Sequence, residues 1–171
     1  MPLEPISQIS KCETAMSASF AHIPEAFRLY CTEQFPLPTE KEIAYLEESC
    51  KLRLPPDYRN FLQHYGGGLF SEPCILPSVN NCPQDSLTSM YGIHSPYSFA
   101  TLGNLGDILT FEDNDPPIVI PIGDTVMNSW ILVMIHPEDC GKIVFKEAFG
   151  GFYYLADGID DFFGRLVTPC K

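Results

Sequence analysis

Between Arg59 and Lys142 the 171-residue chain has no lysine and no arginine. The same stretch carries nine carboxylates: Glu72, Asp85, Asp107, Glu112, Asp113, Asp115, Asp124, Glu138 and Asp139. It supplies three-quarters of a net charge of −12. A surface of that sign repels phosphate backbones and anionic headgroups, so neither nucleic acid nor membrane is an expected partner. A basic protein is. Metal and cofactor signatures are missing too. The seven cysteines form no CxxC pair and no zinc-finger spacing, and the four histidines form no HxxxH or HExxH pair. No metal, cofactor or structural disulfide is expected, and the cysteines read as reduced thiols. No apolar run reaches the ~20 residues of a membrane span. The start, "MPLEPISQISKCE", has no basic region leading into an apolar one. These absences point to the cytoplasm.

What is present fits one domain with a core of its own, at 45% hydrophobic and 19% charged residues. The segment "LPPDYRNFLQHYGGG", residues 54–68, ends in a glycine run that could be mistaken for a phosphate cradle. In such cradles the glycines precede the helix, so that its first amides face the anion. Here the helix comes first. Pro55 or Pro56 suits a first helical position, and Asp57 suits the positive end of the helix dipole. Tyr58, Phe61, Leu62 and Tyr65 recur as one apolar stripe. The glycines supply left-handed residues that end the helix.

Residues 1–22 read as an extension without sustained periodicity, ahead of a single domain over 23–171. Phe20, Ile23, Phe27 and Tyr30 predict a helix over 20–33. Thr39 and Glu42 have the form of a capping box, with Ile43, Leu46 and Cys50 as the apolar face and Glu47 and Glu48 on the polar one. Short strands are expected near 69–76 and 90–94, and a short helix or turn over 104–110. From 117 onward "PIVIPIG", "WILVMIH", "KIVFKE" and "FYYLA" are β-prone runs with connections too short for crossover helices. They predict an antiparallel meander. "WILVMIH" is apolar at both alternations, as in a strand covered on both faces. A last helix follows, with Asp157 placed to cap it and Ile159, Phe162, Phe163 and Leu166 as its stripe.

This order of elements is similar to that of the SMI1/KNR4 family, within the SUKH superfamily of immunity proteins. The resemblance is carried by "EIAYLEESCKLRLPPDYRNFLQHYGGG", "IVIPIGD", "GKIVFKE" and "YYLADGIDDFFGRL", and runs from about residue 30 to 167. Two places depart from the family's pattern: Tyr65-Gly66 stands where a turn usually carries Asn-Gly, and "DTVMNSW" lacks the usual loop glycine. The resemblance implies an α+β fold with N-terminal helices, a curved, mainly antiparallel sheet and a C-terminal helix. It also implies a non-enzymatic antidote that binds a bacterial toxin domain, or a regulatory scaffold of the same fold.

The residues themselves offer little for catalysis. "FEDNDPP" lacks the remaining ligands of a calcium loop, "DGIDD" reads as a helix start, and Cys140 has only His136 nearby in sequence. For partner binding the carboxylates Asp107, Glu112, Asp113, Asp115, Asp124, Glu138 and Asp139 are the candidates, all expected in loops. Trp130, the only tryptophan, admits two readings. The apolar run behind it points to core packing, and the acidic loops beside it point to an anchor for a basic toxin, such as a nuclease.

Overall fold

The computed structural model describes residues 20–71, 76, 84–104 and 119–166. Among these, seven strands form one antiparallel sheet in which sequence neighbours are spatial neighbours. They are β1 (Cys31–Gln34), β2 (Gly68–Phe70), β3 (Leu87–Met90), β4 (Val119–Thr125), β5 (Trp130–Met134), β6 (Ile143–Lys146) and β7 (Phe152–Ala156). The expected meander is β4 to β7. Pro121 can sit inside the sheet because the register shifts between Pro121 and Gly123, and a bulge tolerates a missing N–H. Alternation decides the faces: Ile143 and Phe145 are buried while Val144 and Lys146 are half-exposed.

Among the described residues four α-helices accompany the sheet: α1 (Ile23–Tyr30), α2 (Glu40–Ser49), α3 (Pro56–Tyr65) and α4 (Ile159–Arg165). Aromatic rings fuse helices to sheet. Phe27 of α1 lies 5.8 Å from Phe61 of α3, 5.7 Å from Phe163 of α4 and 5.3 Å from Phe70 of β2, centroid to centroid. Full burial of a side chain such as Phe61 contributes about 2–3 kcal/mol. Ile131, Val133, Ile143, Phe145 and Leu155 complete this core from the sheet.

The glycine run has a steric reason. Gly66 and Gly67 have φ of 71° and 96°, and a Cβ on Gly67 would come within 2.6 Å of the Met90 carbonyl. The run ends α3 and lets β2 slot between β1 and β3. The capping box at α2 forms in both directions: Thr39 N–H donates to Glu42 Oε2 at 2.7 Å, and Glu42 N–H donates to Thr39 Oγ1 at 3.3 Å.

Several sequence expectations need correction. The first helix is shorter than 20–33. Pro24 fixes its first turn, and residues 31–34 leave helical geometry to pair with β2, a ladder that local periodicity cannot reveal. Among the described residues the early strands fall at 68–70 and 87–90, and residues 72–75 of the expected 69–76 lie outside them. Residues 98–100 and 102–104 form short 3₁₀ turns, and 105–110 lie outside the described residues. Glu47 is buried, accepting Leu54 N–H at 2.9 Å and facing Arg59 and Arg53. Gly158, not Asp157, precedes α4, and its first amide is served from α3. Cys140 is disulfide-bonded while Cys31 and Cys50 are free. Pairing needs Cα atoms within about 7 Å, a proximity that spacing along the chain does not show.

Candidate functional site

The core side chains of the sheet point toward the helices. The residues between them point the other way, and there one row crosses all seven strands. Glu33 pairs with Leu69, Leu69 with Ser89, Ser89 with Asp124, Asp124 with Trp130, Trp130 with Lys146, and Lys146 with Phe152. Cross-strand partners share a face, so these seven side chains stand side by side. At the β7 end the row is apolar and open: Trp130 is 49% exposed and Phe152 is 54% exposed. Between them Lys146 directs its ammonium back onto the protein. Its Nζ donates to the carbonyls of Glu147 at 3.2 Å and Gly150 at 3.0 Å, and lies 5.1 Å from the centre of the Phe152 ring.

Two hairpin turns extend this patch. The β4–β5 turn exposes Val126 and Met127, and the β6–β7 turn exposes Phe149 completely. Both turns are held from inside. Buried Asp85 accepts from Thr125 Oγ1 at 2.5 Å, from Met127 N–H at 3.2 Å and from Ser86 N–H at 2.8 Å. Asn128, at φ 57°, takes the left-handed position that glycine fills in many turns, and Asn tolerates it well. Ser129 is buried, and its Oγ accepts from Ala148 N–H at 3.3 Å, tying one turn to the other. The polar groups face inward and the large apolar ones outward.

The sequence candidates are dispersed by the fold. Asp107, Glu112, Asp113 and Asp115 lie outside the described residues. Asp124 is a strand residue, not a loop one. It is half-buried beside Trp130, accepts from Ser89 Oγ at 2.6 Å, and burial pushes its carboxyl above the ordinary range. Glu138 and Asp139 occupy the β5–β6 turn, at the other end of β5 from Trp130, about 13 Å of strand away. Asp139 pairs with Lys142 at 2.6 Å, which holds its carboxyl low. Structure thus joins Asp124 to Trp130 and separates both from Glu138 and Asp139. Val126, Met127, Phe149 and Phe152 were not singled out by sequence. The signal was available in "AFGG", where a phenylalanine occupies a turn that offers it no core.

Among the described residues, no group of three or more His, Cys, Asp or Glu side chains could hold a metal ion. No described helix is long and apolar enough to cross a membrane. Cys140, being disulfide-bonded, is not available as a thiol nucleophile. Free Cys31 is pushed up to about 11, chiefly by burial, and is a poor one.

The domain is thus α+β, with aromatic side chains exposed at the hairpin turns at one end of its sheet. The chain belongs to the SMI1/KNR4 family (SUKH-1), whose model matches residues 37–165. SUKH domains are known as immunity-protein domains. No curated protein matches the chain in sequence.

Proposed function

We propose that this chain is an immunity protein, which binds and neutralises the toxin domain encoded beside it. The single observation that carries the reading is the family match over residues 37–165. The charge pattern supports a basic partner of the nuclease type. Nine carboxylates without one lysine or arginine between Arg59 and Lys142 give the chain a field that draws in positive charge. Nuclease domains must be basic to hold phosphate backbones. The chain acts in the cytoplasm by occupying its partner, and it needs no catalytic group of its own.

The test is co-expression with the C-terminal domain of the adjacent open reading frame. Rescued growth, together with a stable complex in gel filtration, is the expected outcome. Binding without rescue would favour the alternative, a regulatory or scaffold domain of the same fold. Neither binding nor rescue would remove the immunity reading.

A further inference from the structure

We infer that the tied β4–β5 and β6–β7 hairpin turns form the docking surface for a basic partner domain, with Trp130, Phe149 and Phe152 as its anchors. The identity of that partner rests on the immunity reading; the placement of the surface rests on geometry. Among the described residues, five of the nine exposed large apolar side chains gather at this end of the sheet: Val126, Met127, Trp130, Phe149 and Phe152. Single exposed apolar residues need no explanation, but a contiguous set on a held scaffold does. Flexible turns would cost ordering entropy on binding. These are ordered beforehand by Asp85, Thr125 and Ser129.

Charge selects the occupant. Among the described residues the one cation in the patch, Lys146, is turned onto backbone carbonyls and the Phe152 ring, while Asp124 and Glu147 flank the anchors. A second copy of the chain would bring −12 against −12, and an anionic lipid surface would meet the same repulsion. A basic protein with apolar pockets fits both features. Aromatic anchors govern how slowly such a complex separates, and the surrounding acids govern how quickly it forms.

The experiment measures association and dissociation rates with the purified toxin domain of the adjacent open reading frame as probe, at low and high salt. Trp130→Ala and the double variant Phe149→Ser/Phe152→Ser are compared with Tyr45→Ser, which removes an exposed aromatic from α2. Thermal midpoints establish that every variant is folded. Each anchor variant should bind about 30-fold or more weaker, mainly through faster dissociation. Tyr45→Ser should stay within about threefold of wild type, and salt should slow association throughout. If wild type binds and the anchor variants bind equally well, the surface is misplaced and the inference falls while immunity stands. If association ignores salt, the basic partner is wrong. If wild type sediments as a dimer that Trp130→Ala dissociates, a second copy occupies the surface and the inference is overturned. If wild type does not bind the probe at all, the immunity reading fails and the inference goes with it.

Discussion

Asp57 Oδ2 accepts the backbone N–H of Ile159 at 3.3 Å, across 102 positions of sequence. Asp57 also accepts Tyr58 N–H at 2.8 Å, so one carboxylate serves the first turns of both α3 and α4. The negative charge lies where two helix dipoles are positive. A motif residue that sequence assigns to its own helix therefore fastens the C-terminal helix as well.

Asp57 and Glu42 should impose opposite pH dependences. Burial raises Asp57 above its ordinary 3.8. The folded protein then binds that proton more tightly than the unfolded chain, so the contribution of Asp57 falls as pH rises from 3.8 through the raised value. Glu42 is held at about 2 by the Thr39 amide and hydroxyl and by His94, from an ordinary 4.5. Its contribution is complete above 4.5 and is lost as pH falls toward 2. Urea midpoints measured between about pH 2 and 7 should lose the first slope in Asp57→Asn and the second in Glu42→Gln. Unchanged slopes in either variant would contradict its assignment.

Gly67→Ala should destabilise the fold by more than about 2 kcal/mol, because it combines a left-handed φ with a backbone clash. At φ 96° its Cβ would lie 2.6 Å from the Met90 carbonyl. Chemical denaturation reads the loss. A near-neutral result would mean that β2 can shift between its neighbours.

Asp85→Ala should cost about 2–4 kcal/mol, since it removes the acceptor of the Met127 and Ser86 amides and leaves the Thr125 hydroxyl only its longer bond to the Ser129 carbonyl, at 3.3 Å, beside a buried gap. It should also weaken partner binding at temperatures where the domain is still folded, by loosening the β4–β5 turn. Hydrogen exchange at residues 126–129 should rise in this variant. Exchange as slow as in wild type would show that the turn holds itself.

Truncation should show where the domain begins. Ala21, His22 and Ile23 amides donate to the Asp160 carboxylate at 3.1, 2.9 and 3.0 Å, and Phe20 lies 5.9 Å from the Tyr65 ring. Removing residues 1–18 should barely move the thermal midpoint, whereas removing 1–22 should lower it by several degrees, as for a loss of about 1 kcal/mol. Equal midpoints for the two truncations would place the boundary after residue 22.

Thiol labelling checks the disulfide. In denaturant without reductant, iodoacetamide should modify Cys31 and Cys50, and Cys140 should be modified only after reduction. Mass spectrometry of the peptides decides it. Immediate labelling of Cys140 would restore the all-thiol reading.

Sequence alone determined the features that rest on local chemistry. The Thr39–Glu42 box, the proline start and glycine end of α3, the antiparallel order of β4 to β7 and the apolar stripe of α4 each follow from neighbours within about one helical turn or one hairpin. Tertiary structure decided whatever depends on residues distant in the chain. Residues 31–34 became a strand because β2 offered a ladder, and Glu47 was buried because Leu54 and Arg59 came to meet it. Trp130 left the core although the run behind it entered. As the first residue of β5 it lies on the face turned away from the helices, in register with Asp124 and Lys146. Apolarity could place that run in a strand, but only the register of seven strands could say which side of the sheet each residue faces.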